Sequence, residues 1–417
     1  MKNEEYKIHI VGAGVSGLIA AKVLENHGFH PVIIDASDRV GGRVKTDTLE
    51  GYQLDHGFQV LLTAYPAAQK YLDLKALELQ YFLPGSSIFK NDKQVIIGDP
   101  LREKSLLFPT LFSRIGNLSD KFKILGLNKN LKAKSIEEIF ESKEQSTLNY
   151  LQDLGFSEDM INTFFKPFFS GIFLEEELRT SSRMFEFIYK MFGEGFAALP
   201  KAGIEAIPQQ LAKGLKNTTF KFNTKVAKVN DQEIVLESEE KLESHFTIIA
   251  SEASSLISNL KNQATLWKSC DTLYFETDKK VIVKSLIGLV ADNSSLINNI
   301  FYHTSLAAKS RGKNELLSVT VVKDNQLKTD ELVKQVASEL KKYCGITDAK
   351  FLKHYKIPMA LPDLNQVSYK VEPTETRLTT SIFLAGDMQL NGSLNAAMLS
   401  GEAAALGLIE TLTGNAT

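Results

Sequence analysis

The stretch Gly12-Ala13-Gly14-Val15-Ser16-Gly17 limits what this chain can fold into more than any other. An apolar run of strand character, Ile8-His9-Ile10-Val11, precedes it, and Leu18-Ile19-Ala20-Ala21-Lys22-Val23-Leu24 follows as helix. After a turn at His27-Gly28, a second apolar run, Val32-Ile33-Ile34, ends on Asp35. Glycines in this spacing between a strand and a helix, with an acid closing the next strand, form a dinucleotide-binding fingerprint. Gly12 lets the chain turn tightly out of its strand, Gly14 allows backbone to approach a pyrophosphate, and Gly17 lets helix and strand pack closely. The helix starting near Val15 turns its free amides toward the diphosphate. Asp35 is placed to accept hydrogen bonds from an adenosine ribose.

Gly41-Gly42-Arg43 adds a second turn and a cation for the same diphosphate. Further on, Asp55-His56-Gly57 puts polar groups and a close backbone approach beside the flexible middle of a long cofactor; His56 reads equally as a satisfied structural histidine. Tyr65 to Leu77 reads as a short helix. The far end of the chain repeats the theme. Ser381 to Asp387 is a strand ending in a glycine and an acid, and the turn from Leu390 to Leu394 leads into a helix from Asn395 to Ala405. Two such motifs at opposite ends of the chain describe one elongated site, which points to FAD rather than a nicotinamide dinucleotide.

A chain of 417 residues exceeds what one core usually holds. The expected fold class is α/β: a Rossmann-like FAD-binding domain, discontinuous, from 1–80, 195–255 and 365–417, with a mixed α+β substrate domain from 81–194 and 256–364. Charged residues make up 24% and the net charge is −2, so nothing attracts nucleic acid globally. Cys270 and Cys344 make neither a metal cluster nor a CxxC pair, which points to a reducing compartment. Met1 to Tyr6 runs into the first strand and no apolar stretch reaches membrane-span length, so no signal peptide is expected and the cytoplasm is the expected location.

The middle is less constrained. Ile88 to Ile97 is a hairpin about Asn91-Asp92. Pro100 opens a largely helical region with Leu111, Phe112, Ile115, Leu118, Phe122 and Leu125 at helical spacing. From Arg102 to Lys134 there are eight Lys and Arg against Glu103 and Asp120; such a run is either a solvated helix face or a peripheral membrane contact. Phenylalanines crowd the segment from Phe156 to Phe196, either as helical core or as the lining of a pocket for a large apolar substrate. Lys166, Arg183 and Lys190 are its polar members. A helix from Gln209 to Leu215 and strands from Thr219 to Val229 and Glu233 to Glu237 follow. Phe246 to Ala250 looks like a strand returning to the first sheet. Strands are expected at Val281–Val283, Leu286–Val290, Ile300–Tyr302 and Leu316–Val322, with a helix from Asp330 to Tyr343 capped by Thr329 or Asp330. Pro358 and Pro362 make Lys353 to Pro362 an extended, edge-type segment.

Across its whole length the chain resembles the FAD-dependent amine oxidase superfamily, which includes monoamine and polyamine oxidases, protoporphyrinogen oxidase and phytoene desaturase-type enzymes. The resemblance rests on the N-terminal glycines with Asp35, on Asp38-Arg39-Val40-Gly41-Gly42-Arg43 with Thr46, on Gly203 to Pro208 with Leu211, on Val226, and on Leu384-Ala385-Gly386-Asp387 through Gly401. It implies FAD held by Gly12, Gly14, Val15, Ser16, Gly17, Asp35, Ala36, Gly42, Arg43, His56, Gly57, Gly386, Asp387 and Leu394. It further implies that Val226 meets the adenine through its backbone and that Met398 lies near the isoalloxazine. Asp35 stands where the family commonly has Glu. The C-terminal motif has no cysteine, which implies non-covalent FAD, and Ser393-Leu394-Asn395 replaces the aromatic pair that holds amines in several members.

The implied reaction is hydride transfer from a hydrophobic small molecule, polyene- or porphyrinogen-like, to flavin N5, followed by reoxidation by oxygen, quinone or another acceptor. An amine oxidase with an aromatic cage and a flavoprotein isomerase are the alternatives. Lys166, Lys190 and His56 are the candidate acid–base groups.

Overall fold

Strand Ile8–Val11 is buried along its whole length because it has a parallel neighbour on each side. In this computed structural model, which describes all residues except 1, 92, 100–101, 108–109, 111–112, 114, 310 and 415–417, it lies at the centre of a five-stranded sheet. The order is Thr219–Lys221, Val32–Ile34, Ile8–Val11, Phe246–Ile249 and Ile382–Leu384, all pairs parallel. Asp92, Pro100, Leu111, Phe112 and Arg114, used in the reading of the hairpin and the basic stretch, lie outside the described residues.

A parallel sheet must be covered on both faces, and alternate side chains show how. Ile8, Ile10, Ile33, Ile248 and Phe383 pack against helices Val15–Asn26 and Leu394–Thr413. Val11, Ile34, Ile249 and Ile382 face a small antiparallel sheet of Val226–Asn230, Glu233–Leu236 and Lys241–Glu243. The helices approach at backbone distance. A Cβ on Gly17 would lie 2.0 Å from the Gly12 carbonyl oxygen, and one on Gly401 would lie 2.2 Å from the Ser16 carbonyl oxygen.

The second sheet has seven strands in the order Lys350–Pro362, Trp267–Thr277, Glu315–Val321, Ile297–Tyr302, Ile287–Val290, Gly85–Lys90 and Lys93–Gly98. Its pairings are antiparallel except between Ile287–Val290 and Gly85–Lys90. The proline-bearing strand is an edge, as its sequence requires. Val281–Val283 is not a strand: Ile282 finds the core while Val283 is exposed, so β-branched composition there reflects one anchoring contact. The helix Thr329–Cys344 begins with Lys328 as its cap, earlier than expected, because the Glu331 carboxylate accepts the Lys328 amide. The helix expected to reach Leu77 stops at Tyr71, where Leu72 is extended and Asp73 starts a new turn by accepting from Ala76 N.

The helices Leu118–Ala133, Ile136–Glu141, Thr147–Asp153, Glu158–Met160, Lys166–Phe173 and Ser182–Glu194 form a helical region that meets the second sheet through Lys166–Phe173. Most are short, and side-chain caps at Asn117, Ser135, Ser146, Ser157 and Ser181 explain where they start. Ile161–Phe165 is a wider π turn. Two residues beyond it stands Pro167, which has no N–H to return to the Thr163 carbonyl.

The crossing at Gly401 is the tightest test of this architecture. Gly401→Val should cost about 1–3 kcal/mol, seen as a lower midpoint in urea or thermal unfolding, while Gly126→Ala, at an open position, should not.

Candidate active site

A cavity of about 1110 Å³ runs from the glycine turn of the first motif into the helical region. At its first end the wall is backbone. Gly12 has φ +114° and Gly42 φ +60°, conformations that suit glycine. A side chain on Gly42 would meet the Gly14 Cα at 3.3 Å, whereas Gly14 faces open space. The Asp35 carboxylate is fixed at Oδ1 by Ser37 N at 2.7 Å and by Ser37 Oγ, and at Oδ2 by Ala13 N at 2.6 Å, which leaves acceptor capacity on Oδ2. Arg43 pairs with buried Asp387, donates to the Ala360 carbonyl at 3.2 Å, and lies 5.1 Å from the Trp267 ring centre. Gly386 N donates to Ser400 Oγ at 3.0 Å, so the last helix sets the turn that carries Asp387.

The residues present fit a dinucleotide. The glycines make a cradle that a Cβ would fill, a cation and two acids stand along it, and Glu252 Oε2 is buried on the wall without a partner among the described residues. Such a dinucleotide would lie along Gly12, Gly14, Asp35, Gly42, Arg43 and Asp387, with Val15, Ser16, Gly57, Gly386 and Leu394 also on the wall. Four of the expected contact residues are not on the cavity wall. Gly17 is beneath the turn as a packing residue, Ala36 is exposed, the Val226 side chain packs in the core with the small sheet, and Met398 is fully buried, while Leu394 and Ala397 take the wall.

At the middle of the cavity His56 lies on the wall and donates from Nε2 to Asp47 Oδ2 at 2.8 Å. Tyr355 donates to the same oxygen at 2.8 Å and packs against the imidazole at a tilt of 32° with centroids 4.3 Å apart, while Arg39 donates to the other oxygen at 2.8 Å. Burial alone would raise the Asp47 carboxyl, but the hydrogen bonds from His56 and Tyr355 dominate and bring it down to about 2. Beneath them Asp55 is buried and accepts from Thr46 Oγ1 at 2.6 Å and Ile204 N at 3.1 Å. Burial pushes it up to about 6 despite those bonds.

The far end is apolar. Phe58, Phe82, Phe164, Phe168, Phe169, Phe173, Phe192 and Phe196 line it with Met160, Met184 and Ile188. The aromatic segment therefore divides: Phe156, Phe165, Phe185 and Phe187 are helical core. Lys190 is not on the wall. Its ammonium is buried against Leu131 O at 2.9 Å and Glu194 at 2.6 Å, a structural arrangement. Lys166 is likewise off the wall. The structure adds Asp99 and Lys268, which did not stand out in the sequence, and brings Arg102 and Lys121 of the basic 102–134 stretch to the wall. Lys268 donates to Thr180 Oγ1 at 2.9 Å and lies 3.5 Å from Asp363, joining the helices to the second sheet. An isolated lysine in a strand, as Lys268 is, carries no periodic signal that would have found it.

The family model described as flavin containing amine oxidoreductase matches residues 15–409. Protoporphyrinogen oxidase 2 of Arabidopsis thaliana is 28% identical over 167 residues, 40% of this chain and 32% of that protein. An L-amino-acid oxidase of Sistrurus catenatus edwardsii is 41% identical over 76 residues, 18% of this chain and 15% of its own. These matches cover well under two thirds of either relative. Among solved structures, cyclohexylamine oxidase from Brevibacterium oxydans superposes with a TM-score of 0.70 at 14% identity, over 98% of this chain and 99% of that one, a likeness of fold.

Asp55 makes a pH test of the network. Its carboxyl moves from an ordinary 3.8 to about 6 in the folded chain, so between these values the folded state holds more protons. Its contribution to stability therefore falls as pH rises from about 4 to about 6, by on the order of 2–3 kcal/mol. Urea unfolding from pH 4 to 7 should show this slope as the difference between the wild type and Asp55→Asn, which keeps an acceptor for Thr46 and Ile204.

Proposed function

The chain belongs to the flavin-containing amine oxidoreductase family, and we propose that it uses non-covalent FAD to oxidise a hydrophobic small molecule of polyene or porphyrinogen type. The observation that carries this reading is the continuity of the cavity. The glycine-lined groove opens directly into a space walled by Phe164, Phe168, Phe169, Phe173 and Phe192. An amine would call for two rings close to the cofactor's reactive end. Ser393 and Leu394 stand where the resemblance would put them.

FAD, when bound, supplies a hydride acceptor and passes the electrons to oxygen, quinone or another acceptor. This chain's residues do the rest. Arg43 and the amides of the first turn neutralise the diphosphate, and Asp35 accepts from the ribose. The phenylalanines exclude water and orient an apolar skeleton. Making a double bond removes a proton along with the hydride, and His56 is the histidine on the cavity wall among the described residues. Asp47 holds its Nε2, leaving Nδ1 to take that proton. We assign the cofactor-binding unit to 1–80, 195–255 and 365–417 and the substrate unit to 81–194 and 256–364. Buried free thiols at Cys270 and Cys344 support a cytoplasmic setting.

The deciding measurement is anaerobic bleaching of the flavin's visible absorbance by a panel of polyenes, porphyrinogens and amines. Bleaching by a polyene or porphyrinogen is expected. Bleaching by amines alone would replace this reading with an amine oxidase, and isomerisation without bleaching would replace it with an isomerase. With the substrate in hand, His56→Gln should slow flavin reduction at least about 100-fold with the flavin still bound; an unchanged rate removes His56 from the chemistry. Arg43→Ala should weaken FAD binding about 10- to 100-fold, read by flavin fluorescence during dilution.

A further inference from the structure

Helix Leu118–Ala133 carries apolar residues on two opposite faces. Ile124, Leu127 and Leu131 pack on the core, with Leu127 and Leu131 only 4% and 1% exposed. Leu118, Phe122 and Leu125, at i, i+4 and i+7, point away from it and are 72%, 71% and 52% exposed. The same outward stripe continues at i+11 and i+14 with Lys129 and Lys132, both exposed and neither in an ion pair among the described residues. The helix's one acid, Asp120, is fully buried, where it accepts from Asn117 N, Ser157 N and Ser157 Oγ. The outward face of this helix is thus apolar at its start, basic at its end, and free of negative charge.

This stripe reaches the mouth of the cavity. Leu125 lies on the cavity wall and on the outer surface at once. So does Leu107, from the preceding segment, at 45% exposed.

We propose that this face docks on an anionic lipid bilayer, with Leu118, Phe122 and Leu125 entering the interfacial layer and Lys129 and Lys132 meeting lipid phosphates. The apolar substrate then enters from the bilayer between Leu107 and Leu125. Charge selects this occupant. Three large apolar side chains in one row are suited to hydrocarbon, and the lysines that extend the row are suited to anionic headgroups. A two-fold contact between copies of the chain would instead gather four lysines with no acid in the stripe to answer them. The docking itself does not depend on the proposed oxidation; the delivery of substrate does.

The test uses the full chain with its flavin and reads binding without turnover, so its outcome is separate from that of the bleaching experiment. The protein is sedimented with phosphatidylcholine vesicles with and without phosphatidylglycerol. Binding to the anionic vesicles and little to the neutral ones is expected. Leu118→Ser/Phe122→Ser/Leu125→Ser and Lys129→Glu/Lys132→Glu should each lower that binding at least about tenfold, with unfolding midpoint and flavin absorbance unchanged. Phe122→Trp should be quenched by brominated lipid. Failure to bind anionic vesicles, equal binding to neutral ones, or binding that survives both sets of substitutions overturns the proposal. So does a wild-type dimer in gel filtration that the serine variant converts to monomer, since a second copy then covers the face.

Discussion

Three backbones meet where the first helix starts, and the rest of the site depends on that contact. The turn at Gly12 lies under Gly17, and Gly401 of the last helix lies over Ser16, at distances where no side chain fits. Close packing here fixes how the final helix sits on the sheet. Through Ser400 it fixes the turn carrying Asp387, and through Leu394 and Ala397 it supplies part of the cavity wall. The cofactor groove is consequently completed by residues nearly the whole chain apart, as the pairing of Arg43 with Asp387 shows. The segments between are left to build a second sheet and a helical region of their own.

Charge is concentrated along the same seam. Arg39 joins Asp47 to Glu205, Glu205 receives the Thr46 amide at 2.8 Å, and Thr46 reaches Asp55. These residues come from the first motif and from the block around Gly203. Buried ionic networks contribute little net stability compared with apolar packing. They do set geometry, because each carboxylate has a fixed donor set and a misplaced partner leaves a buried charge unanswered. The imidazole of His56 inherits its orientation from this arrangement, with one nitrogen committed to Asp47 and one ring face on Tyr355.

What was legible in the sequence is what local geometry dictates. The glycine turns, Asp35, Arg43 and Asp387 could be placed because each answers a short-range demand of a turn or strand end, and the structure sets all of them on one cavity. Met398 is fully buried and off the wall, because how deep a helical residue sits is decided by the elements packed on the helix and not by its own sequence. Lys190 looked available for chemistry and is tied to a helix carbonyl and Glu194. Helix Leu118–Ala133 resisted reading for another reason. With leucines on both faces its periodicity names no single core side, and only the packing of Leu127 and Leu131 shows which leucines are left outside.

The aromatic segment shows how core and pocket can share one helix run. Phe165 packs inward against Phe156, Phe169 and Phe185, while Phe164 stacks on Phe168 with centroids 5.6 Å apart, and both line the cavity. Adjacent residues on a regular helix are about 100° apart, so consecutive phenylalanines necessarily divide between two faces. The π turn ahead of Pro167 adds a residue at this point and rotates the facing of helix Lys166–Phe173, so that Phe169 and Phe173 also reach the wall. One run of sequence therefore supplies the packing that holds the helices together and the surface that receives the substrate. A substitution that enlarges the pocket at Phe169 also loosens the core, whereas Phe164 and Phe168, partly exposed to the cavity, can be changed with less effect on folding.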